Sequence, residues 1–101
     1  MAALPQHENF VRSINTKFQV RLDETKAVEA ELTEVSELRL SPTQEQFSLV
    51  FRAPTEPFLG QGMRTLDHEH IGRLELFLVP ISHDEKGICY EAVFNRLRKD
   101  T

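Results

Sequence analysis

Two histidines flank a glutamate in the segment TLDHEHIG, residues 65–72, and this spacing raises the question of a metal site. On a β-strand, residues two apart share a face, so His68 and His70 could point the same way. Zinc sites usually use three or four protein ligands, but the sequence adds neither a Cys-x-x-Cys nor a His-Glu-x-x-His motif. His83 and Asp84 would come near only if the connection between the segments folds suitably. We therefore expect exposed turn histidines and no bound metal or cofactor.

Cys89 is the only cysteine, which excludes an intramolecular disulfide and fits a reducing compartment. A nucleophilic thiolate needs a base beside it, and no histidine lies within strand reach of Cys89 in the sequence. Cys89 alternates with Ile88 and Tyr90, which predicts a small, half-buried side chain on the outer face of a strand. We expect no catalytic role for it, and no enzymatic activity for the chain.

A series of acidic residues could supply paired carboxylates or a calcium site: Glu29, Glu31, Glu34 and Glu37. Glycosidase pairs require a cleft and one raised pKa, and calcium loops need oxygen ligands at loop spacing with a glycine. Neither pattern is present, so we expect a solvated strand face.

The elements that must position these side chains follow from the hydrophobic periodicity. Residues 6–14 place Phe10, Val11 and Ile14 on one side, which predicts a short helix. The period then changes to two, and residues 17–97 read as an antiparallel sheet of about six strands. Residues 98–101 are predicted to be a frayed tail. The inner face of the sheet is predicted to carry Phe18, Val20, Leu22, Val28, Ala30, Leu32, Phe47, Leu49, Phe51, Leu74, Leu76, Leu78, Ile88, Tyr90, Ala92 and Phe94.

Charge favours pairing of the first two strands without fixing their register. One register places Arg21 opposite Glu29, and the neighbouring one places Lys17 opposite Glu31. Alternation falters over residues 33–37, which predicts a bulge or bend.

After that bulge, Leu38 and Leu40 are expected to return to the inner face. Residues 73–81 begin as an alternating strand and end apolar on both faces, with Phe77, Val79 and Ile81 on the second face. The amphipathic helix is expected to cover that face. The predicted fold is mainly β: an antiparallel meander, rolled or barrel-like, with one short N-terminal helix.

Length and charge limit the function further. The 101 residues fit a single domain, 1–101, and the formal net charge is −4. Nucleic-acid binding depends on clustered cations, whereas the one dense basic cluster, residues 96–99, reads as a solvated tail, so no nucleic acid is expected. The sequence shows no signal-peptide pattern and no apolar run long enough for a membrane span. We expect a cytoplasmic protein without membrane contact.

The second half of the chain resembles an uncharacterised family of small bacterial single-domain proteins, a domain of unknown function. The resemblance is carried by FSLVFR at 47–52, PFLGQG at 57–62, LDHEHIG at 66–72, ELFLVPI at 75–81 and YEAVFNRL at 90–97. It extends from about Phe18 to Leu97 and implies no catalytic residues. Some members are encoded near genes for phage-tail-like collar proteins, which implies a structural or assembly role.

Two apolar features favour a protein partner. Phe58 and Leu59 stand among turn-forming residues, where they either plug the open end of the sheet or dock on another chain. The face of Phe77 and Val79 becomes an interface if the helix leaves it bare. We expect a non-enzymatic interaction or assembly module that binds a protein partner or itself. The alternatives are an accessory factor of a phage-tail-like assembly and a metal-binding protein.

Overall fold

The structure is a computed structural model and describes residues 6–97 of the chain. The regular elements of the described part are one short helix followed by seven strands. In chain order these are α1 His7–Val11, β1 Lys17–Arg21, β2 Ala27–Val35, β3 Arg39–Leu40, β4 Gln44–Ala53, β5 Gly62–His68, β6 Gly72–Asp84 and β7 Gly87–Leu97.

The sheet closes into an antiparallel barrel of six strands. Around the barrel the order is β1-β5-β6-β7-β4-β2, and β2 pairs with β1 to complete the ring. The short strand β3 pairs with β4 outside this ring. Closure gives each barrel strand two neighbours, so none of the six lies at a sheet edge along its whole length. The predicted fold class is confirmed: mainly β, antiparallel, six-stranded and barrel-like, with one short N-terminal helix.

The barrel is assembled from two three-stranded meanders, β1-β2-β4 and β5-β6-β7. A single meander would have paired β4 with β5, whereas β4 pairs with β7 from Gln44–Leu97 to Ala53–Ile88, and β1 pairs with β5. Each meander together with the adjoining strand of the other has the strand order of a Greek key. Since β4 and β5 lie on opposite sides of the ring, the loop of residues 54–61 crosses one end of the barrel.

Side chains at alternate strand positions fill the barrel, as the period of two predicts. Phe18, Val20, Leu32, Leu49, Phe51, Leu66 and Tyr90 have no exposed surface. The opposite end from loop 54–61 is closed by α1, whose Phe10 is fully buried against the rings of Phe47 and Phe94 at centroid distances of 5.9 and 5.1 Å.

The predicted role of the helix is wrong in one respect. α1 ends at Val11, earlier than the predicted residue 14, and it lies against Phe47 and Phe94 at the barrel end, not over the outer face of β6. Phe77 and Ile81 consequently remain 46% and 49% exposed. Within residues 6–97, no helix has the length and apolar character that crossing a membrane requires.

The register of the first hairpin is the one with Lys17 opposite Glu31, whose charged groups lie 3.5 Å apart. Arg21 lies opposite Ala27 and instead bonds Asp67 of β5 at 2.9 Å. The predicted irregularity after Leu32 is confirmed as a register shift against β4.

Two smaller expectations about the outer parts of the sheet are wrong. Leu38 and Leu40 are exposed, because the chain leaves the barrel wall after the bulge and forms the outer strand β3. Arg96 is an ordered residue of β7 that pairs with Glu45 at 3.1 Å and lies over the ring of Phe94. The predicted tail, residues 98–101, lies outside the described residues.

Gly87 begins β7 where the backbone passes very close to β4. A Cβ at this position would lie 2.2 Å from the carbonyl oxygen of Ala53, and the φ of +144° is one that other residues rarely adopt. Gly72 has a φ of +89° but no atom within 4 Å of such a Cβ. The close contact therefore distinguishes two glycines that share a backbone preference.

We expect Gly87→Ala to lower the free energy of unfolding by about 3 kcal/mol or more, because a backbone clash is added to backbone strain. The matched control Gly72→Ala carries strain alone and should cost about 1 kcal/mol. Urea unfolding of both variants measures the difference. Equal losses would show that the contact with Ala53 relaxes at little cost.

Candidate interaction surface

His68 is buried, with 8% of its surface exposed, so the expectation of an exposed turn histidine is wrong for this residue. It is the last residue of β5 and points inward, and its ring lies 4.2 Å from that of Phe18. His70 does lie exposed in the following turn, as predicted. Because β5 ends at His68, the two histidines are not successive residues of one strand face.

Both ring nitrogens of His68 have protein partners. Nδ1 accepts hydrogen bonds from the backbone N–H groups of His70 and Ile71, both at 3.1 Å. The hydroxyl of Thr16 donates to the carbonyl oxygen of Ser13, so Nε2–H is the donor in the 2.8 Å bond to Thr16 Oγ1. This assigns a neutral imidazole that ties the N-terminal turn to the β5–β6 turn. In the described part of the chain, no group of three or more His, Cys, Asp or Glu side chains could hold a metal ion.

The other titratable candidates lie on the outside of the barrel. Cys89 is half-buried on the outer face of β7, opposite Arg52 on β4 and Ser82 on β6. Among the acidic residues of β2, Glu29 and Glu34 are exposed, while Glu31 pairs with Lys17.

The loop of residues 54–61 contains Phe58 and Leu59, the two apolar residues that the sequence singled out, and places them in different environments. Leu59 is 4% exposed and plugs the barrel end, where its N–H donates to the hydroxyl of Tyr90 at 3.1 Å. Its carbonyl oxygen accepts a hydrogen bond from Arg64, which points inward from β5. Phe58 lies on the outside and is 63% exposed. Leu59 therefore plugs the end of the sheet, whereas docking by Phe58 stays a prediction.

An apolar patch lies on the outer face of the β5–β6 hairpin, at the end away from its turn. Met63 lies directly opposite Phe77, and the two side chains are 61% and 46% exposed. Val79 follows Phe77 on the same face of β6 and is half-buried. We call Met63, Phe77 and Val79 the outer patch. Met63 was missed by sequence reasoning, although a hairpin turning at residues 69–71 places it opposite Phe77.

The buried environment and the nearby His70 both hold the pKa of His68 below its usual value of 6.5, although Glu69 opposes them. As the pH falls, the imidazole of His68 therefore becomes protonated in the unfolded chain before it does so in the folded protein. The free energy of unfolding should consequently decrease as the pH falls from about 6.5 through the lower pKa of the folded protein. Comparing urea unfolding of wild type and His68→Gln between about pH 8 and about pH 5 isolates the protonation of His68 from that of the other histidines. A stability difference that does not shrink on acidification would contradict the assignment.

Tyr90→Phe removes the hydroxyl that accepts the Leu59 N–H and leaves a buried donor without a partner. We expect a loss of about 1–3 kcal/mol in the free energy of unfolding. Amide hydrogen exchange provides the specific readout: the Leu59 amide should exchange faster than in wild type, while the amide of Leu32, buried elsewhere in the barrel, should follow the global stability. Unchanged protection of Leu59 relative to Leu32 would argue against the bond.

Comparison with known proteins assigns a family without assigning an activity. No curated protein and no solved structure matched the chain. A family model described as a domain of unknown function, DUF6916, matched residues 5–94. The match covers nearly the whole barrel from α1 into β7, and the chain therefore belongs to the DUF6916 family.

Proposed function

We propose that the protein is a non-enzymatic interaction module that binds a partner protein through the outer patch, with Phe58 of the neighbouring loop as a further contact. The observation that carries this proposal is the exposed cross-strand pair of Met63 and Phe77. Phenylalanine and methionine are enriched in the buried centres of protein interfaces. An accessory role in a larger assembly would need the same kind of surface.

Burial of this pair would supply a substantial share of a binding free energy. Complete burial of a Phe or Met side chain is worth about 1.5–3 kcal/mol, and directly opposed residues on one sheet face lie close enough to fill one pocket together. Both side chains belong to a paired hairpin, so little conformational entropy of the backbone is lost on docking.

The rows next to the outer patch have the polarity of an interface rim. Along the same face of β5–β6, the next opposed pair is Thr65 with Glu75, followed by Asp67 with Arg73. Arg73 Nε bonds Asp67 at 2.8 Å, and its side chain remains 66% exposed. An apolar centre beside polar and charged rows is the usual arrangement of a specific protein contact.

Photo-crosslinking in the native cells tests this surface. The photoreactive amino acid p-benzoylphenylalanine is placed at position 77 and, as a control, at position 39, because Arg39 is exposed on β3, which pairs with β4 on the far side of the ring from β5. We expect a discrete protein adduct from position 77 and none from position 39. Adding Met63→Asp should reduce the adduct severalfold, because a carboxylate would be desolvated at the centre of the contact.

Light scattering after gel filtration separates a second copy from a different partner. A dimer that Phe77→Asp dissociates would identify self-association, whereas a monomer together with a heavier crosslinked adduct would identify another protein. Equal adducts from positions 77 and 39, or no adduct at position 77, would contradict the proposal.

A further inference from the structure

The strands β1 and β5 are paired over only part of their length. These strands pair only at Gln19–Asp67 and Val20–Leu66. On the other side of β5, pairing with β6 runs from Gly62 to His68. Among the described residues, Gly62 to Thr65 of β5 therefore have no strand partner on the side of β1. Unpaired backbone N–H and C=O groups of this kind are where an added strand can bind.

A cleft of about 540 Å³ lies over this unpaired part of β5, within the range of about 300–1,000 Å³ found for ligand sites. One wall is the end of β1 and the turn after it, and the other is β5 with one residue of β6. The lining residues are Arg21, Leu22, Asp23, Glu24, Met63, Arg64, Thr65 and Arg73.

The β5 side of the cleft carries more positive than negative charge. Arg21 and Arg73 share a single carboxylate, that of Asp67, at 2.9 and 2.8 Å. These two hydrogen bonds hold the pKa of Asp67 below its usual value, with Arg73 contributing most, so the carboxylate stays ionised and offsets one of the two charges.

Arg64 adds a further cation that has no ion-pair partner within the described part of the chain. One of its terminal N–H groups donates to the neutral carbonyl oxygen of Leu59, and its buried Nε has no hydrogen-bond partner. A half-buried guanidinium without a counter-ion favours the approach of an anionic group.

Within the described part of the chain, neither acidic residue of the opposite wall, Asp23 or Glu24, forms an ion pair with these arginines. Asp23 Oδ1 already accepts the backbone N–H groups of Thr25 and Lys26, each at 2.8 Å. These bonds lower the pKa of Asp23, so its carboxylate stays negative within the turn after β1. Asp23 and Glu24 together therefore orient an anionic ligand away from that wall and towards β5.

We propose that the cleft binds an acidic, extended segment of the partner protein, which adds as a strand to Gly62–Thr65 of β5. This inference rests on the proposed function, because Met63 belongs both to the cleft and to the outer patch. Backbone hydrogen bonds to β5 provide affinity for an extended segment. Acidic side chains on the outward positions lie beside Arg21 and Arg73, and an inward position faces Arg64.

The probe for this site is a short fluorescent peptide of Glu residues around a central Val. Fluorescence anisotropy should show binding that weakens as salt is raised. A Lys version of the peptide should not bind, and N-methylation of the central residues, which removes backbone donors, should weaken binding by about tenfold or more. Amide exchange at residues 62–65 should slow when the peptide is bound.

Arg73→Gln should weaken the Glu peptide by about fivefold, whereas Arg39→Gln, the same exchange on the outer strand β3, should not change its affinity. Equal binding of the Lys peptide would overturn the charge assignment, and equal binding of the N-methylated peptide would overturn strand addition. Adducts at position 77 without peptide binding would refute this inference alone. Absence of those adducts despite peptide binding would refute only the proposed outer-patch contact.

Discussion

Every inward side chain of this protein depends on closure of the barrel at the seam between β1 and β5. Only Gln19–Asp67 and Val20–Leu66 pair there, so side chains contribute much of the closure. Arg21 bonds Asp67 on the outside, and the ring of Phe18 packs against that of His68 on the inside at a centroid distance of 4.2 Å. These contacts cluster towards the His68 end of β5. The two strands are therefore held together at the His68 end of β5 and are unpaired at the other end, where the cleft lies beside Arg64.

β5 carries a polar inward residue near each barrel end and an apolar inward residue between them. His68 is neutral and bonded at one end, and Arg64 bonds the Leu59 carbonyl at the other, with Leu66 fully buried between them. Buried polar groups are tolerated when they have hydrogen-bond partners. The same strand directs Met63 to the solvent. Closure and outward contact thus depend on one short strand, and the two are separated by the alternation of its side chains.

The parts of this fold that follow local rules could be predicted from the sequence, and those that depend on distant partners could not. The inward placement of Phe47, Leu49 and Phe51 follows from a period of two. The register of the first hairpin could not be chosen, because either register pairs opposite charges; Asp67, far along the chain, takes Arg21. His68 was misjudged because Thr16, its partner, lies 52 residues away.

The outer patch is exposed because the one short helix has another place in the fold. A rolled sheet leaves open ends, and α1 closes one of them with Phe10 against Phe47 and Phe94. A helix of five residues has room for few apolar contacts, so it cannot also cover β6. The apolar positions Phe77 and Val79 predicted a cover for that face, and the described part of the chain does not supply one. In the proposed complex a second polypeptide covers this face, and it would also bind the unpaired backbone of β5 beside Met63.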